Sequence, residues 1–295
     1  MIAAPLERVV RVFARPAPWW SNISAVAARE LRDAVRARWF LLYTLAFAGL
    51  GLGISYISAA GSGAAGLSGY GRTTAGLINL VLLVVPLMAL TAGAGSIAPD
   101  RERGMLSYLL AQSVSRWEVL LGKYLGLSLA LLACICLGLG VCAGVLALTG
   151  AGTSTDARSL LWLGGLAFGL ALGMLSIGML VSVLAHKGSV ATGTAVFLWL
   201  LMVFASDLGV MAGVLALRMR IETLLAVGLA NPLQVFKMWS LHAIDASLDV
   251  LGSVGLYAAD TYPHGLAWMF AASLAAWAVV PLVVAGLVFS RRSGV

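Results

Sequence analysis

Apolar positions in this chain come in long unbroken runs, not in alternation. Charge-free windows fall at 39–60, 74–98, 124–155, 159–185, 188–217 and 265–290, the fifth interrupted only by Asp207. Each is longer than the roughly 20 residues a helix needs to cross a bilayer core. Gly150–Thr155, rich in Gly, Ser and Thr, reads as loop, because such residues favour turns over helix interiors. The predicted spans are therefore about 39–60, 74–98, 124–149, 159–185, 189–217 and 265–290. Backbone groups must find partners within the segment in hydrocarbon, and the runs far exceed the roughly 10-residue alternating strands of a membrane barrel. Helices follow. Pro86 and Pro281 sit mid-span and predict kinks in spans 2 and 6. Glycines within the spans, such as Gly93, Gly95, Gly138 and Gly140, predict close helix packing.

Three polar stretches break this pattern. Residues 19–38 carry Trp19 and Trp20, then Ile23, Val26, Ala27, Leu31 and Val35 at helical spacing, with Arg29, Arg32, Asp33 and Arg36 on the other side. That pattern predicts an amphipathic helix lying on the membrane, with Asn22 or Ser24 as its cap. Between spans 2 and 3, Asp100 after Pro99 can start a short helix. Met105, Leu106, Leu109 and Leu110 then form an apolar edge, which needs either a partner groove or the chain's own bundle to cover it. The segment 218–264 is too long for a simple connection.

Composition agrees with membrane burial. The chain is 61% hydrophobic and 11% charged, against roughly 25% charged in soluble domains. With the N-terminus inside, fourteen of the nineteen Lys and Arg fall in cytoplasmic segments, and Arg72, Arg158, Arg218, Arg220 and Lys237 fall outside. Both termini are thus expected in the cytoplasm. The net charge of +7 serves that topology, and no basic patch interleaves with exposed aromatics to suggest nucleic acid. Residues 1–20 hold no apolar core of a cleavable signal. Cys134, Cys136 and Cys142 share one apolar run but no tight helix face, so they read as packing residues, and no metal site is expected. Asp207 is a carboxylate within a span, either lining a cavity or pairing across helices, or else solvated near the outer face.

The run Glu102-x-Gly104-x-Leu106-x-x-Leu109-Leu110-x-x-x-Val114-Ser115-Arg116, followed by Gly122-Lys123, resembles the coupling-helix signature of ABC-2-type transporter permeases. Met105 stands where that family usually has Thr, and Ser113 where it usually has Pro. Arg29-Glu30-Leu31-x-Asp33 resembles the family's N-terminal elbow helix. With Arg36-x-Arg38-Trp39 and Asn231-Pro232-x-x-Val235-Phe236-Lys237, it looks most like the NosY-type subgroup, which serves nitrous-oxide reductase maturation. Gln234 replaces an acidic residue expected there.

The resemblance implies an all-α, six-transmembrane-helix ABC-2-type (type V exporter-like) bundle, dimeric, with an elbow helix in the cytoplasmic N-terminus 1–38. The transmembrane domain would cover 39–290, with a cytoplasmic coupling helix at 99–123 and a periplasmic segment at 218–264. It implies a non-catalytic subunit in a bacterial inner membrane. A separate (NosF-like) ATPase would bind ATP and Mg, this chain holding no cofactor. Asp100, Glu102, Gly104, Met105, Leu106, Leu109, Leu110, Arg116, His186 and Lys187 would meet that ATPase. Asn231, Pro232, Phe236, Lys237 and Trp239 would meet a periplasmic β-helical (NosD-like) protein, with a copper chaperone as a further candidate partner. The alternative within the family is an exporter of a drug, lipid or peptide. The sequence itself lacks a G-x-x-x-x-G-K-[ST] phosphate loop: Trp117 precedes Gly122-Lys123 where a glycine is needed, and Tyr124 follows where Ser or Thr is needed.

Overall fold

The computed structural model describes residues 19–61, 69–106, 114–148, 154–215, 221–243 and 265–291. The described residues are helical, without strands. In chain order the helices are α1 (Trp19–Arg36), α2 (Arg38–Gly61), α3 (Gly69–Ala94), α4 (Ala98–Glu102), α5 (Arg116–Leu148), α6 (Ser154–Leu184), α7 (Gly188–Leu215), α8 (Ile221–Leu229), α9 (Pro232–Ala243) and α10 (Leu266–Arg291). Five of them, α3, α5, α6, α7 and α10, are long and apolar enough to cross a membrane. The 24-residue apolar helix α2 meets α1 at a bend of 63°.

The helices overrun the charge-free windows because backbone hydrogen bonding does not stop where hydrocarbon stops. Arg116 to Lys123, expected as part of the cytoplasmic segment, are the first two turns of α5. A capping box starts that helix: the Glu118 carboxylate accepts from the Ser115 amide at 3.1 Å, and the Glu118 amide donates to the Ser115 hydroxyl at 3.2 Å.

The core lies where α3 and α6 cross. At Gly93 an added Cβ would stand 2.6 Å from the Leu175 carbonyl, and at Gly178 2.5 Å from that of Leu90. Only hydrogen fits on either side, so the two backbones touch, as small residues permit in lipid. Elsewhere the ring of Phe47 fills the space above Gly138. Pro86 and Pro281 lie inside continuous helices α3 and α10. Near Pro281 the Ser176 hydroxyl of α6 donates to the Ala278 carbonyl at 2.6 Å.

The helix α1 forms where amphipathicity predicts it, but its buried stripe is Ile23, Ala27 and Ala34, and Val35 is exposed. Asn22 and Ser24 do not cap it, since it begins at Trp19: Asn22 donates to Glu118, and Ser24 to the Ser21 carbonyl. Its seat is a glycine groove on α5. A Cβ on Gly122 would meet Val26 at 2.7 Å, and one on Gly126 the Ala27 carbonyl at 2.6 Å.

Candidate functional site

Charged and polar side chains gather at one end of the bundle, where α1, α4 and the starts of α5 and α7 converge. The helix α3 stops at Ala94, and Gly95 to Ile97 form a turn before α4. Such a break leaves backbone groups without partners in a buried place. Ser182 of α6 supplies them: its hydroxyl accepts from the amides of Ile97 at 3.0 Å and Ala98 at 2.9 Å, and donates to the Ala94 carbonyl at 2.6 Å. The short helix α4 then places three consecutive charges.

Asp100 reaches α5. Its carboxylate lies 2.8 Å from the Lys123 ammonium, which also holds Glu30 of α1 at 2.9 Å. The lysine is 4% exposed. A buried ammonium needs such partners, because taking it from water without them is too costly. Arg101 reaches α6, donating to the carbonyls of Val183 at 3.3 Å and Ala185 at 2.8 Å. Glu102 reaches α7, its carboxylate accepting from the Gly188 amide at 3.0 Å. The helix then ends at Gly104, whose φ of 70° is the left-handed conformation glycine adopts most cheaply.

The fold thus brings together two segments that are far apart in sequence. Glu102, Gly104 and Met105 are exposed beside the turn that carries exposed His186 and Lys187. Together they make a solvent-facing patch at this end. The Met105 sulfur also lies 3.9 Å from the Arg29 guanidinium. Two further residues of the expected set make contacts within the chain. Leu106 has no exposed surface and belongs to the bundle's own core, because its side chain turns inward after Gly104. Arg116 is engaged internally, donating to the Phe289 carbonyl at 2.9 Å with its guanidinium over the Phe289 ring. It thereby caps the last turn of α10. Leu109 and Leu110 lie outside the described residues.

Lys123 was legible only as half of a Gly-Lys pair, not as a hub. The two acids it binds are distant in sequence, and only their burial together identifies it. A cleft of ≈ 400 Å³ beside it is lined by Asn22, Arg29, Glu30, Asp33, Asp100 and Lys123, among others.

At the far end of α7, α8 and α9 form a helical pair packed into the bundle. Asn231 caps α9, its carbonyl oxygen accepting from the Leu233 amide at 3.0 Å, while its side-chain amide donates to the Met202 carbonyl at 3.0 Å. Pro232 and Phe236 are buried there, so they build the fold and do not offer an outward docking surface. Burial follows from the apolar run Leu233, Val235, Phe236 and Met238 facing α3, α6 and α10. Lys237 and Trp239 are partly exposed, Lys237 lining a small cleft with Asn79 and Ser206. Gln234 accepts from the Ser206 hydroxyl at 2.8 Å. Asp207 stands on α7, and its side chain lies outside the described residues. Cys134 accepts from Thr44 at 3.2 Å, Cys142 is buried near Gly51, and Cys136 is exposed.

Comparison with known proteins adds an independent observation. Residues 24–293 match the model of a family described as ABC-2 family transporter protein. A protein of Stutzerimonas stutzeri named "Probable ABC transporter permease protein NosY" is 32% identical over 278 residues, which cover 90% of this chain and 97% of that protein. A protein of the same name from Pseudomonas aeruginosa is 33% identical over 275 residues, with the same coverage.

Proposed function

Since the chain belongs to the ABC-2 family of transporter proteins and is a multi-pass ABC transporter permease, we propose that it works as the membrane half of an ATP-driven machine for nitrous-oxide reductase maturation. Counting α2 gives six spans, with α1 as the elbow helix and both termini in the cytoplasm of a bacterial inner membrane. Two copies pair, each gripped by a separate ATPase subunit that binds ATP and Mg. ATP binding draws the ATPases together. The segment 100–116 passes that motion into the spans, and the dimer shifts between inward- and outward-facing states.

The observation that carries this reading is the exposed patch of Glu102, Gly104, Met105, His186 and Lys187, which joins two cytoplasmic segments into one contact surface. Lys123 argues against nucleotide chemistry in this chain: its ammonium is occupied by two carboxylates, and Gly122 lies under Val26. Similarity to proteins named NosY supports the link to the Nos system. In that setting the outer segment 218–264 faces a periplasmic β-helical protein, with a copper chaperone nearby. Of the residues expected on that face, Asn231, Lys237 and Trp239 retain exposed surface.

Co-expression tests the assignment. The tagged chain should co-purify with a NosF-like ATPase, stimulate its ATP hydrolysis, and restore nitrous-oxide reductase activity in a strain lacking its own permease. ATPase binding without that rescue would favour the exporter alternative. No ATPase binding at all would overturn the reading.

A further inference from the structure

Asp100, Arg101 and Glu102 are consecutive, yet each grips a different membrane helix: α5 through Lys123, α6 through two carbonyls, and α7 through the Gly188 amide. The signs of the last two contacts suit the helix ends they meet. Arg101 sits at the C-terminus of α6, where unpaired carbonyls leave partial negative charge. Glu102 sits at the N-terminus of α7, where unpaired amides leave partial positive charge. The three residues between those helices, Ala185, His186 and Lys187, are bracketed by one Arg-Glu pair.

The grip on α7 carries most weight. Among residues 188–206 only Gly188, Ala191, Ala195 and Ser206 are buried within the chain, whereas most residues in the apolar stretches of α3 and α6 are. Side packing therefore fixes α7 less firmly than it fixes α3 or α6. Its start is held by Glu102 and by Pro99, which lies so close that a Cβ on Gly188 would stand 2.9 Å from the proline ring.

We infer that Glu102 is a positioning residue: its bond to the Gly188 amide makes the start of α7 travel with the coupling segment. The fifth span then moves together with α3 and α5, to which that segment is already joined through the backbone. This role is exercised within the chain, through the carboxylate oxygen that accepts from Gly188. The inference rests on the proposed ATP-driven reading only for the origin of the motion.

The experiment uses the full-length chain in nanodiscs, with its three cysteines replaced by alanine and spin labels at Arg103→Cys and Val190→Cys, both exposed positions. The parent gives one narrow distance distribution. Glu102→Ala removes the acceptor and broadens it, whereas Glu102→Gln keeps an acceptor oxygen and the narrow distribution. An unchanged distribution in Glu102→Ala overturns the inference, and so does equal broadening in both variants. In a second arm, the co-purified ATPase is trapped with nucleotide and vanadate. Read only on complexes that hold the ATPase, the separation stays fixed in the parent and changes in Glu102→Ala. A change in the parent, or an unchanged separation in Glu102→Ala, overturns it. If no ATPase co-purifies, the proposed function fails while the first arm still decides the positioning role of Glu102.

Discussion

The Lys123 ammonium stands 2.9 Å from the Glu30 carboxylate, joining α1 to α5 by an ion pair set beside a glycine groove. The same ammonium holds Asp100, so one cation anchors both α1 and α4. Removing it leaves two carboxylates close together without compensation. Breaking a buried pair from one side costs about 3–5 kcal/mol. Lys123→Ala should therefore lower the melting temperature of the purified protein sharply, and Glu30→Gln should do so less. Native tryptophan fluorescence during heating measures both, and an unchanged transition in Lys123→Ala would remove the hub.

The glycine groove makes a separate prediction. Any side chain at Gly126 meets the Ala27 backbone, so Gly126→Leu must push α1 off α5. Ala27 is 8% exposed, and a cysteine placed there should resist a maleimide in the parent and react readily in the Gly126→Leu background. Equal protection in both would mean that α1 is held elsewhere.

Neighbouring residues just after α4 should behave differently. Leu106 is fully buried and Met105 is exposed. An unpaired carboxylate in the core is among the costliest substitutions, so Leu106→Asp should reduce the yield of monodisperse protein. Met105→Asp should leave yield and melting unchanged and weaken ATPase co-purification. Size-exclusion profiles with pull-down separate the two, and matching behaviour would contradict the assigned directions of the side chains.

Asn231 both caps α9 and ties it to α7 through the Met202 carbonyl. Loss of an N-cap costs about 1 kcal/mol, and the lost tie leaves a carbonyl without its donor. Asn231→Ala should lower the melting temperature modestly, while Asn231→Asp keeps the cap and loses only the tie. A variant series in which Asp is as damaging as Ala would place the whole effect in the Met202 contact.

Much of this architecture was open to reading from residue order. Backbone groups in hydrocarbon must pair within a helix of sufficient length, so each apolar run falls on one long helix, although α5 begins two turns ahead of its run. The 19–38 periodicity named α1. Side-chain direction was less legible. Met105 and Leu106 look alike in sequence, but the left-handed turn at Gly104 sends one outward and the other inward. Phe236 and Pro232 read as an outer docking surface, and packing against α3, α6 and α10 buries them.

Chain order alone therefore determined that the protein lives in a membrane, how its helices divide, and which family it resembles, because those follow from local periodicity and the cost of exposed backbone in lipid. Tertiary structure decided which charges meet. Glu30, Asp100 and Lys123 are separated by dozens of residues and become one ion cluster only when α1 settles on Gly122 and Gly126. Glu102 and Gly188 find each other only after the α3–α6 crossing brings their turns side by side. Such pairings depend on long-range packing, and no local pattern encodes the distance between two segments that meet only in the folded chain.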